Sequence, residues 1–159
     1  MGIADAPLFA NKVKDSMEKA FKLASTPEAA TQVATGVHEA VMDLGNKLGF
    51  TPEVQALARQ GMLMTIKSVG NGNNMLGKVL KNIMADKDKY LGNHAIVTAQ
   101  VACSLATVLK WSSDTTFQKL TFAAFFRDIA ITNNKLAQVG SEKELSERVS
   151  EFTEDEVKR

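Results

Sequence analysis

Hydrophobic residues recur along this chain at three- and four-residue intervals, the spacing of one helix face, and no stretch alternates long enough for a strand. Leu8, Phe9, Val13, Met17 and Phe21 predict a first helix from about Pro7 to Ala24. Thr26-Pro27-Glu28 supplies an N-cap, a proline for the first helical position and an acid for the first turn. It opens a second helix that ends near Leu48-Gly49. Thr51-Pro52-Glu53 repeats the start signal, and Val54, Leu57, Ala58, Met62 and Ile66 carry a third helix to Gly70. Asn71-Gly-Asn-Asn74 reads as a loop, and Met75 to Asp86 as a fourth helix. Two more are predicted over Leu91–Lys110 and Thr115–Thr132, the latter closed by Asn133-Asn134, and a polar seventh over Ser141–Phe152. Thr153-Glu-Asp-Glu156 is a capping box with no room for a helix before the last residue, so the natural chain is expected to continue, or once to have done so. The fold class is all-α, a bundle of about seven helices.

The expected core follows from the same pattern. The helix after Leu91 offers Ile96, Val97, Val101, Leu105 and Leu109, with Ala99, Ala102 and Ala106 allowing close approach. The next offers Phe117, Leu120, Phe122, Phe125 and Phe126, and Trp111 reads as a packed plug between the two. Met62, Met64, Met75 and Met84 read as core filler. The two Thr-Pro-Glu starts, 25 residues apart, reuse a good signal; two copies do not make a solenoid.

Composition narrows the function. With 19 basic and 18 acidic residues the net charge is +1, which gives no electrostatic footprint for nucleic acid. A single cysteine, Cys103 in an apolar run, excludes an internal disulfide and reads as a buried thiol. No apolar stretch is read as a membrane span. The N-terminus lacks a secretory pattern, and Ala6 stands where a myristoylation signal needs Ser or Thr. A cytoplasmic location is the expectation. Lys78, Lys81, Lys87 and Lys89, broken by Asp86 and Asp88, read as a solvated face before a phosphate-binding strip.

The sharpest chemical feature is Arg127-Asp128 inside Leu120-Thr-Phe-Ala-Ala-Phe-Phe-Arg-Asp-Ile-Ala-Ile131. A charge pair in an apolar run must face water, satisfy itself or belong to a site. His94 precedes Asp128 by 34 positions on a separate predicted helix, so a bundle can bring them together. The other histidine, His38, sits in a polar stretch and reads as exposed.

Asp88-Lys-Tyr-Leu-Gly-Asn-His94, Val101-Ala-Cys-Ser-Leu-Ala-Thr-Val-Leu-Lys-Trp111 and Phe122-Ala-Ala-Phe-Phe-Arg-Asp-Ile129 together resemble the N-terminal part of an HD-GYP domain. That is the cyclic-di-GMP phosphodiesterase branch of the HD metal-dependent phosphohydrolases. The resemblance implies a partial, degenerate HD-like helical domain over residues 86–159. Residues 1–85 would then be a helical region for dimerisation or sensing, in a bacterial signalling protein. Tyr90 matches the family's tyrosine and would fix the start of the His94 helix.

The resemblance makes His94, Arg127 and Asp128 vestigial metal-site positions. The family's metal-binding His-Asp pair is Arg127-Asp128 here, and its following Gly-Lys is Ala130-Ile131. The later His-Pro, His-His-Glu and Gly-Tyr-Pro segments have no counterpart in this sequence. A guanidinium stays protonated and cannot donate a lone pair, so the family's binuclear iron or manganese centre is not expected, and no cofactor is. Without metal there is no activated water for phosphodiester attack. The reading is therefore a catalytically inactive signalling module acting through a protein partner or as a homo-oligomer. A cyclic dinucleotide is the less favoured ligand, with Arg127, Lys87 and Lys89 as candidate phosphate contacts. The alternative is a fragment of a metal-dependent phosphodiesterase whose other ligands lie beyond this chain.

Overall fold

The computed structural model describes residues 6–69 and 87–158. These form seven α-helices and three short 3-10 turns, with no strand among them. The helices are α1 (Ala6–Leu23), α2 (Pro27–Leu48), α3 (Pro52–Val69), α4 (Tyr90–Val108), α5 (Asp114–Phe126), α6 (Glu142–Arg148) and α7 (Glu154–Lys158). The all-α bundle expected from the hydrophobic spacing is what forms. The helix expected over Met75–Asp86, with Met75, Lys78, Lys81 and Met84, lies outside the described residues.

The start and stop signals work as chemistry. Thr26 accepts the Ala29 N–H at the head of α2, and Gly49 ends that helix with a left-handed φ of 76°. Ser113 caps α5 by accepting from Thr116 N–H, and Ser141 caps α6 by accepting from Glu144 N–H. α4 ends in a Schellman turn: Trp111 N–H reaches Ala106 O at 2.7 Å and Lys110 N–H reaches Thr107 O at 3.1 Å. Lys110 takes the left-handed position at φ 60°.

Helices α2 and α3 form an antiparallel pair whose core is Val37, Val41, Leu44, Val54, Leu57, Ala58 and Met64. From α1, Val13, Met17 and Phe21 pack on this cluster. Gly61 sets how close α2 and α3 come: a Cβ there would lie 2.5 Å from Val37 Cγ1 and 3.2 Å from the Phe125 ring. Helices α4 and α5 lie against the same pair, with Ile96 and Phe125 meeting Ala34. Helices from either side of residue 85 thus share packing.

Several expectations are corrected. The inner face of α4 is its small one, Ala95, Ala99, Cys103 and Ala106 with Ile96 and Val97, while Leu105 and Leu109 point outward. Alanines let helix backbones approach, and the gain from that contact places them inside. Phe125 alone among the α5 phenylalanines is fully buried; Phe122 is exposed and rests against Phe126, ring centroids 4.9 Å apart. Trp111 is no plug, because the Schellman turn holds its backbone and leaves the ring 65% exposed. By length and composition alone α4 is long and apolar enough to cross a membrane, but its inner face packs on α2, α3 and α5 as a core helix does.

The expected helix over Thr115–Thr132 stops at Phe126. Ile129 N–H turns back to Phe126 O and Ile131 N–H to Asp128 O, in three-residue rather than four-residue steps. The seventh expected helix is shorter too: α6 gives way to a 3-10 turn at Val149 and extended backbone at Phe152. The Thr153–Glu156 box forms and does start a helix, the five residues of α7. There Glu156 also accepts from Asn133 Nδ2 at 2.9 Å.

Candidate functional site

The first turn of α4 is pinned on two sides. Asn134 Oδ1 accepts the Leu91 N–H at 2.8 Å, one of the donors a helix start leaves unpaired. On the other side Gly92 meets α2, where a Cβ would lie 2.9 Å from Thr35 Cγ2 and 3.1 Å from Thr35 O. Thr35 donates to Asn93 Oδ1 at 3.1 Å across the same contact. These contacts fix the angle at which His94 leaves the helix. Tyr90 stacks on His94, with ring centroids 5.5 Å apart and planes 20° from parallel.

The structure brings His94, Arg127 and Asp128 together. Past the end of α5, Arg127 Nε donates to Asp128 Oδ1 at 3.1 Å, and its Nη2 makes an ion-pair contact with Asp128 Oδ2, also at 3.1 Å. The guanidinium therefore engages both oxygens of one carboxylate. His94 Nδ1 stands 3.8 Å from Asp128 Oδ2, beyond hydrogen-bond length. Burial, and then the Arg127 charge, push the His94 pKa below the usual 6.5, against an upward pull from Asp128. His94 is thus neutral at neutral pH.

His38 was expected on the surface and is instead 2% exposed. Its Nε2–H donates to the Phe125 carbonyl at 2.8 Å, and the ring meets Phe125 edge-on at 4.6 Å. That carbonyl is the acceptor Ile129 N–H would take if α5 continued, so His38 binds the end of the helix from α2. Its Nδ1 is buried with no hydrogen-bond partner among the described residues. Burial pushes its pKa down, while the Phe125 bond and the Asp128 charge pull it up. Sequence reasoning missed it, although His38 falls one helical turn from Ala34 and from Val41 on the buried face of α2.

The remaining named residues are placed as follows. Lys89 is exposed in the 3-10 turn Lys87–Lys89, and the Lys87 side chain is outside the described set. Cys103 is buried as expected, near Thr121 Oγ1 at 3.7 Å, and burial raises its pKa, which makes it a poor nucleophile.

Among the described residues no three His, Cys, Asp or Glu side chains converge to hold a metal ion. Two partly separated donors, one with both oxygens engaged by a fixed cation, do not fit the binuclear centre of the HD-GYP family. What the arrangement offers is a short polar bridge between α4 and the end of α5. No family model, curated protein or solved structure matches this chain.

Proposed function

We propose that this chain is a non-hydrolytic, HD-GYP-like signalling module that works through binding rather than turnover. The observation that carries the reading is the two-point contact of Arg127 with Asp128. In the family this resembles, the Asp and a preceding His would both face metal. Here the cation is part of the polypeptide, and the carboxylate it satisfies is the one a metal would need. A metal entering at Asp128 would have to displace the guanidinium and then sit beside its positive charge, a repulsion that grows away from bulk water.

The test is elemental analysis after reconstitution with iron, manganese and zinc, together with a cyclic-di-GMP hydrolysis assay. The expected result is less than stoichiometric metal and no turnover. Stoichiometric transition metal that is lost on Asp128→Ala would overturn the proposal.

A further inference from the structure

We propose that two copies of this chain associate through the outward face of α4. No Asp, Glu, Lys or Arg occurs between Tyr90 and Lys110, so α4 is uncharged around its whole circumference. Its inner face is used, with Ala95, Ile96, Ala99, Cys103 and Ala106 buried in the bundle. The opposite face repeats the apolar pattern. Val101, Leu105 and Val108 follow one another at four- and three-residue steps, the spacing of a helix–helix seam. Leu105 is 58% exposed, Val108 78% and Leu109 55%, with Trp111 just beyond at 65%.

Isolated exposed apolar residues are ordinary, but four large ones within seven positions form a patch. They expose on the order of 500 Å² of apolar surface, near the top of what a monomer's largest patch reaches. A standard interface buries about 800 Å² per partner, somewhat over half of it non-polar, so this stripe supplies roughly the apolar share of one side.

A second copy is the occupant that fits. A partner with a charged face would have to bury those charges against a helix that offers none in return. Another α4 brings an equally uncharged surface, and a two-fold axis makes one stripe complementary to itself. With the axis near Leu105 and the helices antiparallel, Val101 of one copy faces Leu109 of the other, and Ala102 leaves room for the backbones to approach. The inference uses neither Arg127 nor Asp128, so it stands whether or not the chain proves able to bind metal.

Sedimentation velocity on the full chain, from low micromolar to about 200 μM, tests it. The wild-type chain should be a dimer whose affinity changes little with salt, because no ion pair holds it. Leu105→Glu should weaken the dimer by at least about tenfold with helical circular dichroism unchanged, since the side chain is already exposed. Leu105→Cys should form an intermolecular disulfide on mild oxidation, while buried Cys103 does not react. A wild-type chain that stays monomeric at the highest concentration, a dimer indifferent to Leu105→Glu, or no cross-link through position 105 would each overturn the proposal.

Discussion

His38 should make the fold sensitive to mild acid. The neutral ring donates Nε2–H to Phe125 O and leaves Nδ1 as a buried bare acceptor. Protonation would put a second N–H at Nδ1 with no acceptor among the described residues and place a charge in a site 2% exposed. The folded-state pKa therefore lies below the unfolded value near 6.5. The sign follows from proton counting. Below that value the unfolded chain binds a proton that the folded chain refuses, so stability is full above the unfolded pKa and falls as the pH drops. With the unfolded value near 6.5, the loss between about pH 7.5 and 5.5 is bounded at about 1.4 kcal/mol, the limit in which the folded ring takes no proton.

The assay is urea unfolding followed by helical circular dichroism at several pH values across that window, comparing the wild type with His38→Gln. Glutamine keeps a donor for Phe125 O but cannot titrate. The variant should be less stable near neutrality by about 1–2 kcal/mol, from lost packing and an imperfect bond. It should also be flatter towards acid, by an amount up to that bound. His94 titrates with the same sign but is present in both proteins and cancels in the comparison. Glu53, Glu144, Glu151 and Glu156 have pKa values held below the usual carboxylate range, so their contributions are lost only at lower pH. Equal slopes in the two proteins, or a His38 ring that titrates in the folded state at or above 6.5 by NMR, would refute the reasoning.

Gly61→Ala and Gly36→Ala should move stability in opposite directions. The first forces a Cβ to within 2.5 Å of Val37 and should cost about 1–3 kcal/mol. The second adds a Cβ that meets nothing within 4 Å and should gain about 0.5–1 kcal/mol from helix propensity, both read by urea midpoint. Arg127→Ala should raise the His94 pKa, because a repelling cation leaves and both Asp128 oxygens become available to the imidazolium. An NMR titration that finds it unchanged or lower would show that Arg127 does not act on the ring.

Helix starts were the most legible part of this chain because a cap is a local event. Thr26 and Thr51 each accept an N–H from three residues on, and no distant contact is needed to read them. The orientation of α4 was not legible. A helix apolar on every side has no polar face to mark solvent, and choosing the larger residues as the inner ones put Leu105 and Leu109 where Cys103 and Ala106 belong. His94 and Asp128 could be paired from the sequence, since both were placed on neighbouring helices. Their engagement with Arg127 depends on where α5 stops.

That stopping point ties the site to the fold. A helix running on to Thr132 would carry Arg127 and Asp128 on regular backbone 100° apart, facing different neighbours. Instead the Phe125 carbonyl is held by His38, and Ile129 N–H bonds one residue later, to Phe126 O. The chain tightens into turns there, and the carboxylate of Asp128 is left among Arg127, His94 and the field of His38. A carboxylate at a helix C-terminus is poorly placed against the helix dipole, and a guanidinium beside it corrects that locally. The residue that looked least important in the sequence, a histidine in a polar stretch of α2, thus helps decide where the most conspicuous pair in the sequence points.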